Sequence, residues 1–223
     1  LGPQSTHDDI LERTHRGHTD AESRGALRRA KEAGLKVGVH MMPGLPGADP
    51  DRDYESFRLL FEDPAYRPDF LKIYPSLATP GSGIEELYLK GEYRPYPENV
   101  LVDLLARAKA LLPPYVRLQR VQRDIPAKLI TAGSIHGNLR QLARARLAEL
   151  GGSCRCIRCR EAGRRPVGGK PLIEDLEYRW CGGTEHFVSA VAGDALIGYA
   201  RLRFPGSPGG TVPPGASLIR ELH

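Results

Sequence analysis

The chain reads as an α/β protein whose last part changes to antiparallel β structure, and three observations predict this. Helix-like and strand-like patterns alternate through residues 19–122, short strands follow one another after residue 172, and a basic, cysteine-containing stretch separates the two regions. Strand, helix, strand in that order implies a parallel sheet with crossover helices, because parallel neighbours need a long connection.

Each element has its own signal. Thr19-Asp-Ala-Glu22 is a capping box opening a helix with apolar Ala26, Leu27 and Ala30, and Gly34 is placed to end it. Leu35 to Met42 reads as a strand closed by Pro43-Gly-Leu-Pro-Gly47. A helix over about 53–62 precedes a strand at Phe70-Leu-Lys-Ile-Tyr74. Helices follow at 84–90 and 98–111, the second with Val100, Leu101, Leu104, Leu105, Ala108, Leu111 and Leu112 on one face. Val116 to Gln122 alternates as a half-buried strand does, and Asn138 is placed to cap a basic helix running to Leu150, before Gly151. Beyond a linker at Arg164 to Pro171, strands are predicted at 173–180, 186–191 and 195–204, with Ala192-Gly-Asp194 as a hairpin turn.

Composition narrows the function classes. With 223 residues and 40% hydrophobic content the chain can build ordinary cores, and no apolar run is long enough to cross a bilayer. It opens at Leu1 without an initiator methionine or leader pattern and stops inside a strand-like run, which suggests a piece of a longer, cytoplasmic protein. The net charge of +5 is uneven. Between Arg107 and Lys170 there are 15 basic residues against 3 acidic ones, a balance of +12, which favours an anionic partner and nucleic acid in particular. Arg117, Arg120, Arg123, Lys128, Arg140, Arg144 and Arg146 form the expected nucleic-acid-facing set, with Arg140 and Arg144 as i, i+4 neighbours presenting charge to successive phosphates.

The four cysteines are clustered. Cys154, Cys156 and Cys159 lie in one short loop, and Cys181 lies in a separate Gly-flanked turn, so four thiolates are expected to close a tetrahedral structural Zn²⁺ site. Neighbouring arginines 155, 158 and 160 favour the thiolate form. The alternatives are four unpaired thiols, disulfides or an iron–sulfur cluster. Cys-x-Cys is too tight for an easy bridge, and no ferredoxin-type spacing is present.

Several strings carry a family resemblance: Gln4-Ser5, Thr14-His-Arg-Gly-His-Thr19, His40-Met-Met-Pro-Gly-Leu-Pro-Gly47, Leu71-Lys-Ile-Tyr-Pro75, Arg120-Val-Gln-Arg-Asp-Ile-Pro126, Ile135-His-Gly-Asn-Leu139 and Cys154-Arg-Cys-Ile-Arg-Cys-Arg-Glu161. In order, and over nearly the whole chain, they resemble the catalytic subunit of Elongator, in the version found in bacterial and archaeal single-protein members. The resemblance implies the C-terminal part of a radical S-adenosylmethionine, partial TIM-like barrel over 1–113, a tRNA-facing and zinc-binding linker over 114–171, and the first antiparallel strands of a GNAT-like acetyltransferase domain over 172–223. It further implies an enzyme that uses a [4Fe–4S] cluster, S-adenosyl-L-methionine and acetyl-CoA to form carboxymethyluridine at the wobble position of tRNA, through contact with the anticodon region. The cluster-binding loop and the acetyl-CoA loop are expected outside this sequence, leaving the piece catalytically silent by itself, and a homodimer is among the expectations. Gln4 and Arg16 match positions near the S-adenosylmethionine pocket. Lys72 and Tyr74 alternate with Leu71 and Ile73 and therefore share a face that in a barrel can be the interior, so they are the catalytic candidates. His40 is given no chemical role, since a core histidine is the commoner reading. A non-catalytic zinc-and-RNA module and a radical enzyme acting on a small molecule are the competing readings.

Overall fold

The computed structural model describes residues 1–206, 213 and 215–223. Its first layer contains α1 (Asp8–Arg13), α2 (Asp20–Glu32), β1 (Gly38–Met41), α3 (Pro50–Glu62), β2 (Phe70–Ile73), α4 (Gly83–Leu89), α5 (Glu98–Ala110) and β3 (Arg117–Arg120). The three strands pair in parallel in the order β1-β2-β3, as the alternating pattern predicts. The segment before α1 runs beside β1. The Gln4 N–H donates to the His40 carbonyl at 2.9 Å, and the Met42 N–H donates back to Gln4 at 2.9 Å.

Strand alternation sorts the two faces of this sheet. Val39, Met41, Leu71, Ile73 and Leu118 are buried and share a core with Leu27, Phe57, Leu60, Leu101 and Leu105, each worth about 1.5–3 kcal/mol of transfer free energy. His40, Lys72 and Gln119 lie half-buried on the other face. Local chemistry fixes the helix starts. Thr19 and Glu22 make the full capping box, Asp49 accepts the N–H groups of Asp51 and Arg52 ahead of Pro50, and Ser82 accepts that of Glu85. Asn138 precedes α6 (Leu139–Glu149) but caps nothing. Its φ of −118° and ψ of 23° depart from the extended backbone that carries a cap oxygen to the first free N–H groups.

After α6 come α7 (Ile157–Arg160), β4 (Leu172–Trp180), β5 (Gly183–Ala192), β6 (Ala195–Pro205) and β7 (Leu218–Leu222). The last four form an antiparallel meander in sequence order. The β5–β6 turn is the expected one: Ala192 pairs with Ala195, leaving Gly193 and Asp194 as a two-residue loop with Gly193 at φ 57°. The short α1 and α7 have too few residues to show a helical period in the sequence.

One face of the meander packs on the first layer through charge as well as apolar area. Asp69, just before β2, receives Arg220 at 2.7 Å, and Arg220 also reaches Glu185 at 2.8 Å. Lys31 lies 3.6 Å from Glu185, donates to the Arg67 carbonyl at 2.7 Å and sits over the Trp180 ring. Arg201 bonds Glu221 at 2.6 Å and the Tyr115 carbonyl at 2.5 Å. Tyr115 stacks on Tyr178 with ring centroids 4.0 Å apart, and Trp180 donates to the Tyr66 carbonyl. The opposite face of the meander exposes Ile173, Phe204 and Ile219.

Candidate functional site

The polar face of the parallel sheet gathers the predicted chemical residues. His40 is the register partner of Lys72, and Lys72 that of Arg120, after an irregularity between Leu71 and Lys72. Tyr74 follows β2 and meets the His40 ring edge-on at 5.4 Å, while the Arg123 guanidinium lies 5.4 Å from the Tyr74 ring. Burial, aided by the charges of Lys72, the Leu1 ammonium and Arg123, pushes His40 below its ordinary value, so it is a neutral imidazole among cations at pH 7. Gln4 sits beside His40 through the backbone pairing, at a φ of 67° that only a few non-glycine residues adopt. Arg16 donates to the Gly2 carbonyl at 3.2 Å, and its Nε is buried without a partner. Lys72, Tyr74 and Gln4 are thus brought together. His40 joins them, and its signal was available: it alternates with Val39 and Met41 as Lys72 does with Leu71 and Ile73.

The loop following β1 is anchored by a buried carboxylate that sequence reasoning passed over. Asp53 on α3 accepts the Gly44 N–H at 2.7 Å and the Tyr96 hydroxyl at 2.6 Å, and Tyr93 donates to the Gly44 carbonyl at 2.8 Å. Gly44 has φ 80°, so this anchored turn requires glycine. Burial raises the Asp53 carboxyl to about 6 against these hydrogen bonds.

A second site lies behind β3. The sulfurs of Cys154, Cys156 and Cys159 are all within 4.8 Å of one another, with Cys154 and Cys156 buried in the core. The Ile157 N–H donates to the Val116 carbonyl at 2.9 Å, which fixes this loop to the sheet edge. Hydrogen bonds among the thiols separate their acidities: those from Cys154 and Cys156 pull Cys159 down, and Cys154 is pushed up. The fourth predicted ligand is a correction. Cys181 sits in the β4–β5 turn, where its thiol faces the Pro64 and Ala65 carbonyls at 3.4 and 3.7 Å, outside the three-sulfur group. The reason is the nine-residue β4, which at about 3.3 Å per residue carries its end roughly 30 Å from its start. Two buried cations act on the Cys159 thiol through their charge. Lys109 on α5 is 1% exposed with no partner for its Nζ, and Arg140 on α6 turns one nitrogen to the Leu118 carbonyl while its buried Nη1 has none.

The basic segment is therefore partly directed inward, which corrects the picture of one cationic face. Arg140 lies beside the thiols instead of presenting charge with Arg144. Arg160 is buried and bonds the Arg155 and Pro114 carbonyls, Arg117 pairs with Glu161 at 2.7 Å, and Arg146 pairs with Asp103 at 2.9 Å. Arg120 pairs with Asp124 at 2.9 Å in solvent. Arg123, Lys128 and Arg144 are exposed, and among the described residues no acidic side chain pairs with them.

The structure thus joins a parallel sheet with one polar face to an antiparallel meander. Residues 68–149 match the family model of the Radical_SAM C-terminal domain. Over its whole length the chain is 45% identical to Elongator complex protein 3 of Danio rerio, of which it covers 42%, and 43% identical to a tRNA uridine(34) acetyltransferase of Dehalococcoides mccartyi, of which it covers 50%. The solved structure of Methanocaldococcus infernus Elp3 with an N-terminal deletion superimposes with a TM-score of 0.95 at 36% identity, covering 100% of this chain and 55% of that one. The chain is thus similar to Elongator complex protein 3 and to the tRNA uridine(34) acetyltransferases, and it spans about half the length of the curated relatives it matches. No helix among the described residues is long and apolar enough to cross a membrane.

Proposed function

We propose that this chain is the central segment of a cytoplasmic enzyme that modifies the wobble uridine of tRNA, forming carboxymethyluridine from acetyl-CoA. The observation that carries the reading is the similarity to a tRNA uridine(34) acetyltransferase, 43% identical along all of this chain. On this reading residues 1–113 belong to the radical barrel, 114–171 to a zinc-holding and tRNA-facing linker, and 172–223 to a GNAT-like acetyltransferase domain.

S-adenosyl-L-methionine with a [4Fe–4S] cluster would supply the radical that activates the acetyl carbon. The three thiols described here do not fit that cluster: they lie in the core with Leu118 and Leu147, on the apolar side of β3, whereas His40 and Lys72 lie on the other face. They do suit a structural Zn²⁺, as three clustered thiols of which Cys154 and Cys156 are buried and Cys159 is half-buried. Gln4 and the unpartnered Arg16 Nε would orient the S-adenosylmethionine carboxylate. Lys72 would hold the uridine in place through its carbonyl or phosphate oxygens, with Tyr74 and neutral His40 shaping the slot and excluding water. Arg123, Lys128 and Arg144 would position the anticodon arm through phosphates.

The test uses the complete protein with reduced cluster, S-adenosylmethionine, acetyl-CoA and tRNA, followed by nucleoside mass spectrometry. Carboxymethyluridine should form, and Lys72→Met should lower its rate by about 10²-fold or more while 5′-deoxyadenosine production persists. A complete protein that binds tRNA but leaves its uridine unchanged would favour the non-catalytic module.

A further inference from the structure

We infer that Asp53 is a positioning residue for the cofactor: by clamping the Gly44 turn it fixes the end of β1 from which Gln4 meets S-adenosylmethionine. The inference rests on the reading of Gln4 and Arg16 as partners of the cofactor's carboxylate, and it names the side chain that holds Gln4 in place.

Ligands of α/β barrels are met at the C-terminal ends of the strands. β1 ends at Met41, and the chain leaves it through Met42 into the turn at Pro43 to Gly47. Two hydrogen bonds tie this strand end to Gln4: the Gln4 N–H donates to the His40 carbonyl, and the Met42 N–H donates to the Gln4 carbonyl, each at 2.9 Å. Gln4 is thereby kept at φ 67°, a conformation that a non-glycine residue holds only where its surroundings impose it. The position of Met42 depends in turn on Gly44, two residues further on.

Gly44 is clamped at both of its backbone polar groups by side chains from other elements. Its N–H donates to Asp53 Oδ2 on α3 at 2.7 Å, and its carbonyl accepts the Tyr93 hydroxyl at 2.8 Å. The Tyr96 hydroxyl donates to the same Asp53 oxygen at 2.6 Å, which aims the carboxylate at the turn. On either side of Gly44, the Pro43 carbonyl accepts the Ser76 N–H at 2.9 Å and Leu45 is buried in the core. Asp53 itself is 4% exposed, and burial pushes its carboxyl up to about 6 in spite of the bonds it accepts. A carboxylate buried at that cost to hold one backbone N–H beside a strand end marks a placed loop, since an apolar residue would fill the same space more stably.

The experiment uses the complete protein with its cluster left oxidised, so that S-adenosylmethionine binds without being cleaved, and measures the Kd by equilibrium dialysis of the radiolabelled cofactor. Asp53→Ala should weaken binding by about 10-fold or more with iron content unchanged, because both bonds to the turn are lost. Asp53→Asn should stay within about 3-fold of the parent, because both donors end on one oxygen and an amide oxygen accepts them in its place. In 5′-deoxyadenosine formation the Ala variant should raise KM and leave kcat at saturating cofactor within about 3-fold, the pattern of lost binding without lost chemistry. Tyr93→Phe releases the Gly44 carbonyl without emptying the core and should weaken binding several-fold, so it decides the matter even if the Ala variant does not fold. An unchanged Kd in Tyr93→Phe and in folded Asp53→Ala, or an Asn variant as weak as the Ala one, would overturn the inference and leave the cofactor site standing. A parent protein that does not bind S-adenosylmethionine would remove that site, and the inference with it.

Discussion

Asp53 illustrates how one side chain sets the shape of a functional loop and makes it sensitive to pH. Its carboxylate ties α3 to the Gly44 turn and to Tyr96, and burial holds it at about 6 from an ordinary 3.8. The folded state thus binds this proton more tightly than the unfolded chain, so the Asp53 contribution is most favourable below about pH 4, declines as pH rises to about 6, and is constant above. Asp53→Asn should therefore gain stability relative to the parent chain between pH 4 and 7, by up to about 3 kcal/mol, in urea unfolding. A parallel pH profile for the two proteins would count against this account. At the same scale, two lysines could have been singled out in the sequence: Lys31 lies four residues after Leu27, and Lys109 four after Leu105, each on an apolar helix stripe. Cys181 could not be assigned that way, because its distance from the other thiols depends on the length and direction of β4.

At the scale of elements, periodicity made most of the fold readable. The parallel order of β1, β2 and β3 follows from alternating strand and helix patterns, and the meander from turn residues such as Gly193-Asp194. What periodicity could not supply was the orientation of long cations on α6 and its neighbours. Arg140 and Arg144 are one turn apart in sequence, yet Arg140 is drawn inward by the Leu118 carbonyl and the thiols, while Arg144 stays in solvent. The tRNA experiment changes accordingly. Replacing Lys128 and Arg144 together by Ala should remove about two phosphate contacts, reducing the slope of log affinity against log salt by roughly 1.4 to 1.8 units for all tRNAs alike. Arg146→Ala, already tied to Asp103, should change that slope little. An unchanged slope in the double variant would mean that α6 and the loop before it do not touch the phosphates. Within the Cys loop, Cys156→Ser should abolish tight zinc binding, measured by elemental analysis, and loosen the contact between α7 and β3.

The whole molecule is joined by buried charge. Lys31 from α2 and Asp69 before β2 meet Glu185, Arg201, Arg203 and Arg220 from three strands of the meander, all buried, and Glu221 extends the network at the rim. Burial alone would raise Asp69 and Glu185, but the attraction of Lys31 and the arginines outweighs it and holds both below the usual carboxylate range. Such a network adds little over a well-packed apolar junction, yet removing one member leaves its partners buried and uncompensated. Glu185 meets Arg220 and Lys31, accepts the Tyr178 hydroxyl at 2.7 Å and lies 3.4 Å from Arg203, so its loss takes one carboxylate from three cations at once and leaves Arg220 and Lys31 to share Asp69. Glu185→Gln should cost about 3–5 kcal/mol at pH 7 in urea unfolding. Because the folded-state value of Glu185 is depressed, its stabilisation is present above the unfolded carboxylate value near 4.5 and lost as pH falls through the lower folded one; the gap between the two proteins should therefore close in acid. Trp180, the one tryptophan of the chain, lies between Lys31 and Arg203 at 4.6 and 4.4 Å, so its fluorescence reports directly on this junction. A gap under about 1 kcal/mol at pH 7, with Trp180 emission unchanged, would show that the apolar contacts of Tyr115, Tyr178 and Phe187 hold the two layers together without the charges.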